Sequence, residues 1–189
     1  PTRELATQIA DETLKFARPL GVQCVCCYGG APKSMQIRAL RSLGGRGVVI
    51  ATPGRLNDLL EAKRLTAEKV EIFVLDEADR MLDMGFEPQI RLISDKVQQA
   101  RQTMLFTATW EPKVMKIART LLTQTQAPAR VVFGDAAGGK LSANKDITQT
   151  IEMVSQPEKM AKARAYLQPL VDDPAKKIIV FAGTKRGGD

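Results

Sequence analysis

The chain has 189 residues, 44% of them apolar, enough to build a packed core and too many for a disordered chain. Lysine and arginine outnumber the acids 28 to 21, and the net charge of +7 favours a polyanionic partner such as nucleic acid. Histidine is absent, so any proton chemistry in this chain must run on carboxylates, hydroxyls, cations or a bound metal.

Leu5, Ile9, Thr13, Phe16 and Leu20 fall near one helical face, which predicts an amphipathic helix over 3–18. VQCVCCYGG predicts a short strand stopped by Gly29 and Gly30. Its cysteines, Cys24, Cys26 and Cys27, are crowded and odd in number, which does not suit a disulfide pattern, and no histidine completes a zinc site. They read as small core residues of a protein kept in a reducing, intracellular compartment. A helix over 32–43 follows, with Met35, Ile37, Ala39, Leu40 and Leu43 as its apolar members, and GVVIA at 47–51 reads as a buried strand. In TPGRLNDLLEAKR, Thr52 can cap a helix whose first turn holds Pro53.

VEIFVL and QTMLFTAT read as further strands, KVMKIARTLL as a helix with Val114, Ile117, Ala118 and Leu121 on one face, and RVVF at 130–133 as a closing strand. Short apolar strands alternating with amphipathic helices predict parallel βα units in a doubly wound α/β sheet, with sites at the carboxyl ends of the strands. Residues 135–147 have a linker's composition. Beyond them TQTIEMV reads as a strand, 157–171 as a helix and KKIIVFAGT as a strand, the opening of a second α/β domain over 148–189. No run approaches the roughly 18 apolar residues of a membrane span, and no signal-like stretch heads the chain, so a soluble protein with no membrane partner is expected.

One feature of this pattern points to chemistry. The strand VEIFVL runs directly into Asp76, Glu77 and Asp79, and three carboxylates in the ligand crevice of an α/β sheet repel one another unless a cation offsets them. Magnesium suits hard oxygen ligands and is often held by one or two carboxylates plus a substrate's phosphates. On that reading Asp76 lies on the metal side and Glu77 polarises an attacking water. The acids could equally serve only to stabilise the start of the next helix through its dipole.

VLDEADRMLDMGF resembles the signature of the DEAD-box RNA helicases, spelled here by Asp76, Glu77, Ala78 and Asp79. PTRELATQ, YGGAP, TPGRL, FTATW and IIVFAGTKRGGD resemble five further motifs of that family in the correct order, from one end of the chain to the other. The resemblance implies a RecA-like sheet of the P-loop NTPase type with helices on both faces, incomplete over 1–134, and the beginning of a second RecA-like domain over 148–189. It implies ATP and Mg2+ as cofactors, the metal held by Asp76 through water, with Glu77, Asp76 and Asp79 as the catalytic carboxylates. Thr107, Ala108 and Thr109 would couple hydrolysis to strand separation. RNA would be gripped without regard to sequence by Thr2, Arg3, Gly29, Gly30, Thr52, Pro53, Gly54 and Arg55, and by Lys185 and Arg186, with protein cofactors as further partners. The alternative is an RNA-binding or interaction module that kept the scaffold and lost nucleotide use. No G-K-[ST] phosphate loop occurs in the chain, which reads as truncated at both ends. By itself it is therefore expected to be poorly stable, to bind MgATP weakly and to unwind no RNA, which calorimetry with MgATP checks.

Overall fold

A computed structural model of the protein describes residues 1–122, 128–133 and 146–181. The chain divides into two compact units, Pro1–Arg130 and Val131–Asp189. In the first, helix α1 (Arg3–Ala17) leads to strand β1 (Cys24–Cys27), α2 (Lys33–Ser42), β2 (Val48–Ala51) and α3 (Pro53–Glu61). Strand β3 (Ile72–Leu75), α4 (Ala78–Asp83), α5 (Glu87–Lys96), β4 (Gln102–Leu105) and α6 (Pro112–Leu122) complete it.

The strands pair in parallel, as the alternation of strand and helix requires, because parallel neighbours need a crossover between them. β1 pairs with β2 in the register Cys24 to Val48 through Cys27 to Ala51, and β3 with β4 from Ile72 to Gln102 through Leu75 to Leu105. Among the described residues these are two separate two-stranded sheets. Each has its own core. Val25, Cys27, Leu40, Leu43 and Leu59 bury the first, and Leu75, Met81, Ile90, Ile117 and Leu121 the second.

The buried stripe of α1 differs from the predicted face: Ala6, Ala10 and Ala17 are inside, whereas Phe16 and Leu20 are more than two-thirds exposed. Small residues win here because the helix lies close on β1, close enough for the Cys26 Sγ to donate to the Ala6 carbonyl at 3.3 Å. Helix α2 buries Leu40 but leaves Met35 outside. In α6 all four predicted positions, Val114, Ile117, Ala118 and Leu121, are buried. Helices α4 and α5 had no sequence expectation, although Pro88 near the start of α5 and Ile90, Ile93 and Val97 at helical spacing carry a legible signal.

The second unit contains, among the described residues, one helix, α7 (Gln156–Val171), close to the predicted 157–171. The Glu158 carboxylate accepts from the Ser155 hydroxyl and, at 3.3 Å, from its N–H, fixing the helix start. The predicted strands at 130–133 and 148–154 are corrected: neither forms a ladder, and the same holds for 176–181. Such segments have the composition of a pleated surface, but a strand exists only against a partner strand. Residues 182–184 of that last strand and 135–145 of the predicted linker lie outside the described residues.

Candidate functional site

The turn after β3 is held from two sides. The β3–β4 ladder runs on past the strands, with the Phe106 N–H donating to the Leu75 carbonyl at 2.8 Å and the Ala78 N–H to the Phe106 carbonyl at 3.0 Å. Between those bonds stand Asp76 and Glu77. Glu77 has φ 50° and ψ 51°, in the left-handed region, where a residue with a side chain costs about 1–3 kcal/mol. Strain of that size persists only where the surroundings impose it, and it concentrates at working sites. Nothing in the sequence signals it, because glutamate is not a residue that seeks this conformation.

Asp79 sits one helical step on, in α4, and both its oxygens are taken by protein donors. Its Oδ2 accepts from the Thr109 N–H and the Thr109 hydroxyl, both at 2.9 Å, and its Oδ1 from the Arg80 N–H at 2.9 Å. The Thr107 hydroxyl donates to the Thr109 carbonyl at 2.9 Å, so the two threonines and Asp79 form one connected group. A cleft of about 530 Å³ opens over it, lined by Asp76, Glu77, Asp79, Asp83, Thr107 and Ala108 among others.

The carboxylates of this cleft are neutralised unequally. Asp83 is paired with Lys113, and Glu77 Oε2 with Arg80 at 3.3 Å. Asp76 accepts the Glu77 N–H on its Oδ1 at 2.9 Å and faces the charge of the Pro1 ammonium, with no lysine or arginine ion pair among the described residues. Asp79 therefore has no oxygen left for a cation, whereas Asp76 has one without a hydrogen bond; among the described residues no group of three or more ligands gathers, so an ion there would need water or a substrate's phosphates to complete its shell. Partial burial pushes the Asp79 carboxyl upward, but the bonds from the Thr109 hydroxyl and the Arg80 and Thr109 amides outweigh it, leaving its pKa below the ordinary value. A depressed carboxyl pKa contributes stability above the unfolded-state value that is lost as pH falls through the folded one. Thr109→Val should accordingly raise the Asp79 pKa toward normal, read from its carboxyl carbon shift in an NMR titration. An unmoved pKa would show that the hydroxyl contributes nothing.

A second group of candidate residues gathers around the first sheet. Thr2 caps α1, its Oγ1 accepting from the Leu5 N–H at 3.3 Å, and the Arg3 guanidinium lies over the Tyr28 ring at 5.2 Å. Gly29 and Gly30 follow Tyr28 at the carboxyl end of β1. Gly30 has φ 78°, and a Cβ there would meet nothing within 4 Å, so the turn presents bare, accessible backbone. Thr52 precedes α3 at the N-cap position, but its side chain makes no capping bond; its N–H instead donates to the Cys27 carbonyl at 3.0 Å. The expected cap is thus corrected, and the consequence favours a ligand: Pro53 has no N–H, and the amides of Gly54 and Arg55 at the helix start stay open to an anion.

Arg55 points inward. Its side chain is 10% exposed, and its guanidinium donates to the Ala31 carbonyl and to Gln36. Thr2, Arg3, the glycine turn and the start of α3 are thereby drawn into one cluster, through contacts on Tyr28 and Ala31. Lys185 and Arg186 lie outside the described residues. The single tryptophan, Trp110, follows Thr109 and packs under the Arg130 guanidinium, 4.9 Å from the ring centroid.

Three comparisons bear on these groups. Residues 1–117 match the family model described as DEAD/DEAH box helicase. The chain is 51% identical over 186 residues to DEAD-box ATP-dependent RNA helicase 46 of Arabidopsis thaliana, an alignment covering 98% of this chain and 27% of that protein. It is 46% identical over 189 residues to ATP-dependent RNA helicase DBP2 of Candida glabrata, covering 100% of this chain and 33% of the relative. Among solved structures, the yeast DEAD-box splicing factor Prp28 is similar with a TM-score of 0.60 and 38% identity, over 66% of this chain and 30% of that one. The chain thus spans between a quarter and a third of the length of these curated relatives.

Proposed function

We propose, from the premise that this chain belongs to the DEAD/DEAH box helicase family and has its RecA-like α/β fold, that it forms the part of an ATP-dependent RNA helicase in which the acidic cleft meets the RNA grip. The observation that carries the reading is the Asp79–Thr109 linkage: a carboxylate of the cleft is fixed by an amide and a hydroxyl of the loop that follows β4, so a change at one reaches the other. In this reading Asp76 holds magnesium through water, and Glu77 orients and deprotonates the water that attacks the terminal phosphate. The bound metal would supply neutralisation of the charge that develops on the phosphate oxygens. Thr107, Ala108 and Thr109 convey the nucleotide state.

The RNA side comprises Thr2 and Arg3, the backbone of Gly29 and Gly30, and the helix start at Thr52, Pro53 and Gly54 with Arg55 behind it. Lys185 and Arg186 are assigned to the same role by family resemblance alone. Amides and helix starts read phosphate and sugar, which makes the grip independent of sequence. Its affinity should fall with salt by about 0.7 in log K per tenfold salt for each phosphate neutralised on a single strand. The partition proposed for the chain is an ATP-binding part over 1–134, a linker over 135–147 and the start of a second domain over 148–189.

A reducing, intracellular setting is proposed from the three free cysteines. Burial raises the pKa of each, that of Cys27 to about 11, so they favour packing over thiolate chemistry. Among the described residues no helix is long and apolar enough to cross a membrane. Protein cofactors are proposed as further partners. RNA-stimulated ATP turnover by the intact protein tests the whole reading; RNA binding with no ATP turnover would reject it in favour of the non-catalytic module.

A further inference from the structure

Gln36 is one of the few polar side chains buried in the first unit, 8% exposed on α2, and it bridges two of the elements assigned to the RNA grip. Its Nε2 donates to the Tyr28 carbonyl at 3.0 Å, and its Oε1 accepts from the Arg55 guanidinium at 2.9 Å. The same guanidinium donates through both terminal nitrogens to the Ala31 carbonyl at 3.2 Å, and its Nε lies 3.7 Å from Asp58 Oδ2. Gly29 and Gly30 are therefore enclosed between two tethered carbonyls, Tyr28 on one side and Ala31 on the other. Both tethers lead to Arg55 in the first turn of α3. The turn has no side chains of its own to hold it, and a glycine pair left untethered would sample many backbone conformations. Arg55 is suited to this task by its planar fork, which a lysine does not reproduce.

We infer that Gln36 and Arg55 are positioning residues of the RNA grip: together they lock the Gly29–Gly30 turn to the start of α3, so that the two backbone anion seats are preset at one spacing. The inference rests on the RNA-binding reading for its purpose and on geometry for its substance. It also moves Arg55 from the phosphate-contacting role to a supporting one. With its side chain turned onto Ala31, Gln36 and Asp58, the positive charge is spent inside the protein, while the amides face the ligand. Lys33, which reaches the Asp58 carbonyl at 3.4 Å, joins the same network from the first turn of α2.

The two roles separate in the intact protein with a fluorescent single-stranded oligouridylate, its affinity measured across a potassium chloride series with a non-hydrolysable ATP analogue present. Arg55→Lys keeps the charge and loses the fork. The clamp predicts a loss of about tenfold, consistent with hydrogen bonds to a charged group; a forked phosphate contact would lose affinity too, so Gln36→Met separates the two roles. Gln36→Met, close in volume and without either hydrogen bond, should lose a comparable factor, although it carries no charge and touches no ligand. Binding of the ATP analogue without RNA should not change in either variant, which a merely destabilised fold would not preserve. Hydrogen exchange of the segment 28–36 provides an arm that needs no RNA: Gln36→Met should accelerate it several-fold. Wild-type protein that ignores RNA would reject the functional reading, and the exchange arm would still decide the clamp. Unchanged exchange, or RNA affinity within twofold of wild type in both variants, overturns the inference.

Discussion

Replacing Glu77 with glutamine in the intact protein is expected to leave ATP binding nearly unchanged and to slow hydrolysis by about 10²- to 10⁴-fold, the range for a positioned general base. The substitution is close to isosteric, so the left-handed turn at Glu77 and the bond from its N–H to Asp76 Oδ1 should both survive. What disappears is the negative charge and the capacity to take a proton. Binding should persist because the proposed metal position belongs to Asp76, not to Glu77. The Arg80 partner at 3.3 Å loses its ion pair, but Arg80 is mostly exposed, so that loss is small. Equilibrium binding of a fluorescent nucleotide and single-turnover hydrolysis, measured on the same preparation, separate the two effects. Hydrolysis within a factor of three of wild type would remove Glu77 from the role of base.

The role assigned to Glu77 shows how far a sequence carries the argument. Strand-to-acid succession at Leu75–Asp76 is visible in the residue order, and the parallel pairing of β3 with β4 follows from the crossover between them. The left-handed backbone at Glu77 is not visible, because it is imposed by the Phe106–Ala78 bond, a contact 28 positions apart in the chain. The inward turn of Arg55 is hidden for the same reason. A helix-start arginine reads as a phosphate ligand until Gln36 and Ala31 are placed beside it. Periodicity located α6 correctly since all four of its apolar positions face one core, whereas on α1 the same rule chose Phe16 and Leu20 over the alanines. There, closeness of approach to β1 decided the packing, and hydrophobicity alone does not encode it. The apolar runs at 148–154 and 176–181 fail differently: their composition is strand-like, but a ladder depends on a neighbour that composition does not specify.

Substituting Ile117 by alanine should be the most disruptive single change to the second core, costing about 2–5 kcal/mol. Ile117 is 2% exposed on α6 and packs with Leu75, Met81, Ile90 and Leu121. Leu75 immediately precedes Asp76, and Met81 belongs to the helix that carries Asp79, so the cavity would open directly beneath the acidic turn. Collapse into it is restricted, because the turn above is tied to β4 through Phe106 and to Thr109 through Asp79. The expected result is therefore a loss of stability concentrated where the chemistry is placed. Native-state hydrogen exchange in the intact protein should accelerate at least about 30-fold for amides of β3 and α6, the factor corresponding to the lower end of that cost. Thr120→Ala, on the exposed face of the same helix with its hydroxyl bonded only to the Lys116 carbonyl, should change stability by less than about 0.5 kcal/mol and serves as the control. If Ile117→Ala left exchange at β3 unaltered, α6 would not support the acidic turn, and the linkage between core and cleft would have to run through β4 alone.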